Sequence, residues 1–125
     1  MKKIIKIPNA PAPLGPYSQA VVKNDTLYVS GQIPLDPFTG EKLFDNIQTA
    51  TEQVMRNIES LVQTAGFSME DVVKCSIFLK NLDNFTEVNR IYETYFQDEP
   101  PARETVEVKK LPLDAPVEIS CIAQR

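Results

Sequence analysis

The segment DNIQTATEQVMRNIESLVQTAG, residues 45–66, decides the fold class. Its apolar residues fall at Ile47, Ala50, Val54, Ile58, Leu61, Val62 and Ala65, the spacing that lines one face of an α-helix. Asp45 with Gln48 resembles a capping box, and Gly66 is a fitting terminator because glycine enters the left-handed region without a Cβ penalty. A helix with one apolar stripe needs a second layer to cover that stripe.

The flanking segments supply it. Downstream, residues 71–79 (DVVKCSIFL) are apolar and rich in β-branched residues, as expected of a buried strand. Asp83 is placed to cap a second helix over 84–96, with a stripe of Phe85, Val88, Tyr92, Tyr95 and Phe96. Pro100–Pro101 ends it. Two more strands, 103–110 and 116–124, flank a turn containing Pro112 and Pro116. Upstream, 18–23 and 26–33 read as a hairpin joined at Asn24–Asp25, residue types that tolerate positive φ. Alternation puts Leu27, Val29, Gly31 and Ile33 on one face of the second strand, and Thr26, Tyr28, Ser30 and Gln32 on the other. Residues 8–16 carry four prolines and read as an ordered loop; 34–40 is a turn region.

The resulting order is β-β-loop-α-β-α-β-β in a single domain, residues 1–125. Two helices cannot cover both faces of a five- or six-stranded sheet, so both are expected on one face, an α+β layer pair. Strand positions such as Val21, Ile77, Val106 and Ile119, or their alternates, make the other face too apolar for water. Association into a homo-oligomer is expected.

Composition removes several kinds of chemistry. There is no histidine, which excludes Ser–His and Cys–His dyads and the commonest metal ligand. Zinc motifs need clustered Cys or His, so no metal is expected. The two cysteines, Cys75 and Cys121, sit in apolar runs and read as small core residues of a reducing compartment. A net charge of −4 with scattered lysines argues against nucleic-acid binding. The apolar runs are too short to span a bilayer, and Met1–Ile7 alternates lysine with isoleucine, unlike a secretory signal. A cytoplasmic location is expected, with no membrane partner.

Any reaction must then rest on Tyr, Ser, Asp, Glu, Lys and Arg. Of the four arginines, Arg56 and Arg90 lie off their helical stripes and Arg125 is the terminus. Arg103 follows Pro-Pro-Ala and leads into a strand, where its fork can grip a carboxylate in bidentate fashion. A structural ion pair is the alternative. Glu118, between Val117 and Ile119, either faces solvent or faces an interface where it can orient or deprotonate water. Glu107 has the same ambiguity in a lysine-rich setting. Tyr17 follows a Gly-Pro turn, Ser30 suits a hydrogen-bond donor rather than a nucleophile, and Asn89 reads alone as a surface polar residue. The residues by themselves indicate an acid-binding cleft with one Arg and one Glu.

Taken in order, Gly15-Pro16-Tyr17-Ser18-Gln19-Ala20, Val29-Ser30-Gly31-Gln32-Ile33-Pro34, Val88-Asn89, Pro101-Ala102-Arg103, Val106-Glu107-Val108 with Leu111-Pro112, and Val117-Glu118-Ile119 closely resemble the YjgF/RidA family of reactive-intermediate deaminases. The resemblance runs from about residue 4 to 124. It implies a chorismate-mutase-like α+β fold, with a single mixed sheet and two helices on one face, and a homotrimer with interfacial clefts. It also implies hydrolysis of 2-imino or 2-enamino acids, derived from 2-aminoacrylate, to 2-keto acids and ammonia without a cofactor. Carried over by position, Arg103 would hold the substrate carboxylate and Glu118 the attacking water. Tyr17, Ser30, Gly31, Asn89 and Thr105 would complete the substrate pocket.

The chain departs from the family at Pro-Ala-Arg-Glu-Thr-Val, where Pro-Ala-Arg-Ser-Cys-Val is usual. Thr105 replaces a cysteine, and Glu104 brings negative charge next to an anion site. These departures motivate an alternative, a non-catalytic sensor of small carboxylates using the same clefts. A ribonuclease or translation inhibitor, attached to relatives by resemblance, fits poorly with an acidic chain lacking histidine.

Overall fold

A computed structural model describes residues 1–125. The elements in chain order are β1 (Lys3–Ile5), β2 (Ala20–Lys23), β3 (Thr26–Gln32), α1 (Ile47–Thr64), β4 (Val72–Leu79), α2 (Phe85–Glu93), β5 (Ala102–Glu107) and β6 (Val117–Gln124). Short 3-10 turns occupy Met69–Asp71, Leu82–Asn84 and Pro112–Asp114. The six strands form one sheet in the order β1-β2-β3-β6-β4-β5. Every neighbouring pair is antiparallel except β4–β5, which is parallel and joined through α2. This is the mixed α+β sheet with both helices on one face that the sequence predicts.

The core lies between helices and sheet. Val54, Met55, Ile58, Leu61 and Val62 of α1 are fully buried against Ile77 and Leu79 of β4 and Val117, Ile119 and Ala123 of β6. Each large side chain removed from water contributes about 1.5–3 kcal/mol. Asn57, a buried polar residue of α1, donates from Nδ2 to the Leu35 carbonyl (3.0 Å) and accepts from Gln53 Nε2 (2.9 Å), tying the 34–43 loop to the helix.

Several local expectations are corrected. β1 pairs with β2 as a sixth strand, with Ile5 buried opposite Ala20 and Lys3 and Ile4 left exposed. The α1 cap is Asn46, whose side chain accepts from the N–H groups of Gln48 and Thr49, rather than Asp45. Gly66 does follow the helix with φ +84°, as expected. Asn81 caps the 82–84 turn by accepting from the Asp83 N–H, and α2 starts at Phe85 and ends three residues earlier than the stripe suggested. Ile77 and Ile119 face the helices and are fully buried, because β4 and β6 place them in register with each other under α1. Their alternates Phe78 and Ile122 lie on the open face, together with Ile4, Val21, Tyr28 and Val106. No helix is long and apolar enough to cross a membrane.

Candidate functional site

Arg103 opens β5. Register pairs it with Cys75, which in turn pairs with Cys121, so its side chain leaves the sheet on the helix-covered face. There it meets α2. Arg103 Nη1 donates to Asn89 Oδ1 at 2.8 Å, and the guanidinium carbon lies 4.9 Å from the Tyr92 ring centroid and 5.7 Å from that of Phe85. One helical turn separates Asn89 from both Phe85 and Tyr92, which is why one face of α2 can present all three. No carboxylate lies within ion-pairing distance of Arg103, so the structural ion pair weighed above is absent. Arg56 and Arg90 do pair, with Glu52 and Glu87, and Arg125 lies over the Phe67 ring while donating to the Gly66 carbonyl.

Beside Arg103 is an open pocket of about 520 Å³, also lined by Asn89, Tyr92, Glu93, Phe96 and Pro101. The Tyr92 hydroxyl is buried without a hydrogen-bond partner, and burial, with the adjacent Cys75 thiol, pushes its ionisation upward. Burial also raises both thiols, Cys75 and Cys121, which are free and inaccessible, consistent with their reading as core residues. Thr105 follows on the same face of β5; its hydroxyl is buried and unpartnered, so within one chain it offers nothing to a ligand.

Glu104 points the other way. Strand alternation puts it on the open face, where Lys74 Nζ lies 2.9 Å from Oε1. Hydrogen bonding from Ser76 and then from Lys74 holds its carboxyl below the usual range. Its charge is thus paired on the face away from Arg103, which removes the electrostatic objection raised by its position in sequence.

Glu118 also occupies the open face, opposite Phe78 of β4. It is half-buried with no ion-pair or hydrogen-bond partner, and desolvation raises its carboxyl above the ordinary value. Between Val29↔Cys121 and Gln32↔Ile119, β3 advances three residues while β6 advances two, a bulge at Ser30–Gly31. The extra residue reverses the alternation. Gly31, expected on the face of Leu27 and Val29, turns instead toward the Glu118 carboxylate: a Cβ there would fall 2.5 Å from Glu118 Oε2. Ser30 Oγ donates to the Ser18 carbonyl at 2.6 Å and its N–H to the Gln19 carbonyl at 2.9 Å, pinning the proline loop to the bulge. Tyr17, on that loop, is exposed.

The residues singled out from sequence therefore fall into two groups. Ser30, Gly31 and Glu118 gather at the bulge, with Tyr17 preceding Ser18, whose carbonyl Ser30 binds; Asn89, Arg103 and Thr105 gather at α2 and β5. Register puts Arg103 and Glu118 three residues apart along the ladder, about 10 Å, and on opposite faces. One chain does not bring them together. Glu107, left ambiguous by sequence, accepts from the Leu82 N–H at 2.8 Å and so caps the turn before α2. Sequence reasoning missed Tyr92 and Phe85 as neighbours of the arginine, since their helical spacing reads simply as core.

Residues 7–125 match the family model described as Endoribonuclease L-PSP. A RutC family protein of Sulfurisphaera tokodaii is 51% identical over 116 residues, 93% of each chain. Reactive Intermediate Deaminase A, chloroplastic, of Arabidopsis thaliana is 42% identical over 122 residues, covering 98% of this chain and 65% of that protein. The crystal structure of YyfA from Yersinia pestis, of the conserved Rid protein family, superimposes with a TM-score of 0.93 at 45% identity and full coverage of both chains. Motifs and fold agree with these likenesses, and the chain belongs to the YjgF/RidA family.

Proposed function

We propose that the protein is a reactive-intermediate deaminase, hydrolysing small 2-imino acids to 2-keto acids and ammonia in clefts between the subunits of a homotrimer. The observation that carries this reading is the Arg103 guanidinium, fixed by Asn89 and two aromatic rings yet unpaired with any carboxylate. A substrate carboxylate would take its free N–H groups in a charge-assisted pair, about twice as strong as a neutral hydrogen bond. The partly apolar open face supports association, and juxtaposing Arg103 of one protomer with Glu118 of a neighbour is the arrangement that association would supply.

The chemistry needs little more. Water adds to C2 of the iminium while Glu118 accepts one of its protons, giving a carbinolamine. The proton passes back from Glu118 to the amino nitrogen. The C–N bond then breaks with its electron pair leaving on nitrogen, the hydroxyl oxygen closes the carbonyl, and its proton leaves with ammonia as ammonium. Desolvation at Glu118 suits the base, because a carboxylate with a raised proton affinity takes protons more readily. Imine hydrolysis is fast unaided, so orientation by one cation and one carboxylate is enough help. No cofactor enters this scheme.

The test is formation of keto acid from an enzymatically generated imine, with Arg103→Ala beside the wild type and a solution mass measurement for the trimer. Acceleration by the wild type that falls by about one to two orders of magnitude at subsaturating imine in Arg103→Ala supports the proposal. No acceleration with any small 2-imino acid overturns it; saturable 2-keto-acid binding without turnover would then identify a carboxylate sensor. Ribonuclease activity, suggested by the description of the family model, accords poorly with a net charge of −4 and no histidine.

A further inference from the structure

The pocket beside Arg103 contains a competitor for it. Glu93, at the end of α2, lines the same 520 Å³ space, and its carboxylate belongs to the class of group that Arg103 is read as binding. Nevertheless the two do not pair: no contact within 4 Å joins them, whereas Arg90 on the preceding turn pairs with Glu87 at 2.9 Å. What holds Arg103 is neutral. Asn89 accepts one hydrogen bond at Nη1, which fixes a single nitrogen and leaves the guanidinium plane free to rotate about it. The Tyr92 ring, 4.9 Å from the guanidinium carbon, is the nearer of two aromatic faces and restricts that rotation. Tyr92 is itself 5% exposed and tilted against Phe96 at 4.9 Å, so its ring is held by the core and acts as a fixed wall.

We propose that Tyr92 is a positioning residue for carboxylate binding: its ring face keeps the Arg103 guanidinium directed away from Glu93 and available to an incoming ligand. Its role depends on the ring and not on the hydroxyl, which has no partner. A neutral clamp leaves the arginine's full charge for the ligand, whereas an internal carboxylate would have to be displaced before each binding event. The inference rests on the reading of Arg103 as the carboxylate anchor and extends it to a residue one layer deeper.

The experiment measures 2-oxobutanoate binding by calorimetry and imine hydrolysis in parallel on four proteins: wild type, Tyr92→Phe, Tyr92→Leu and Tyr92→Leu/Glu93→Gln. Tyr92→Phe should bind as the wild type does. Tyr92→Leu should weaken binding and raise KM about threefold to tenfold, with kcat changed far less. Adding Glu93→Gln should recover most of that loss, because it removes the competitor; a purely structural defect would not respond to a change at an exposed glutamate. Equal weakening in Tyr92→Phe and Tyr92→Leu would overturn the proposal, as would an absence of rescue in the double variant. Should Tyr92→Leu not fold, Tyr92→Met replaces it. Binding that follows this pattern without any turnover would retain the positioning role while rejecting the deaminase. Failure of the wild type to bind, or undiminished binding by Arg103→Ala, would reject the anchor and the inference together.

Discussion

Gly31 lies beneath the carboxylate of Glu118 so closely that any side chain there would displace it: a built Cβ falls 2.5 Å from Oε2, 2.7 Å from Cδ and 3.0 Å from Cγ. The bulge in β3 creates the contact, and the missing Cβ makes room for the carboxylate. Gly31→Ala should therefore move Glu118 rather than unfold the protein, since the displaced atoms end a flexible side chain. The expected result is a fall in kcat/KM of about tenfold to a hundredfold, with a denaturation midpoint close to that of the wild type. Kinetics and urea titration on one preparation check both halves.

Arg103 tests geometry against charge. Arg103→Lys keeps the cation but loses the planar fork, the Asn89 hydrogen bond and the stacking on Tyr92. Hydrogen bonds to charged groups contribute about 1.5–3 kcal/mol, so Arg103→Ala should raise KM by one to two orders of magnitude. Lysine should restore only a minor part. Recovery to wild-type KM would show that a point charge suffices.

The raised proton affinity of Glu118 sets the direction of two pH effects. As a base, Glu118 must be ionised, so kcat/KM should climb with pH through its folded-state value and then level off; Glu118→Gln should remove that limb along with most of the activity. For stability the sign is opposite. Below the unfolded-state value both states are protonated and the group contributes nothing. Between the unfolded-state and folded-state values the native state keeps a proton that the unfolded state has lost, so stability falls as pH rises, and the loss is complete above the folded-state value. Glu118→Gln should thus raise the thermal midpoint more at pH 7 than at pH 4.

Asn57 gives a stability test remote from the site. Its amide satisfies the Leu35 carbonyl from inside α1, and Asn57→Leu would leave that carbonyl without its partner in a buried setting. The expected loss is about 1–3 kcal/mol, measured by denaturant unfolding, with KM unchanged.

The parts legible from sequence were those governed by local pattern. The α1 stripe, the strand at 71–79 and the proline stops put the right elements in the right order, because periodicity and the missing proline N–H act over a few residues. Elements whose ends depend on tertiary contact were misjudged. The aromatic stripe of α2 continues to Phe96, yet the helix stops at Glu93 and Phe96 is buried from the following turn. The same holds for the candidate site. Arg103 stood out through its strand-entry position, and Glu118 through its place in an apolar strand. The face each side chain takes depends on register, and no alternation rule could anticipate the bulge that turns Gly31 toward Glu118. Glu104 shows the converse: nearness in sequence suggested repulsion beside the anion site, and a single step of strand alternation moves its charge to the far side of the sheet.

β5 is one of the sheet's two edges, bonded to β4 alone and by the one parallel ladder, the slightly weaker pairing per residue. The residue read as gripping the ligand thus rides on an edge strand held from one side only, and its side chain bridges that strand to α2. Occupancy and local order become two views of one equilibrium. A bound carboxylate would slow amide hydrogen exchange along residues 102–107, so the protein carries its own occupancy gauge in the backbone, readable even under conditions where no product forms.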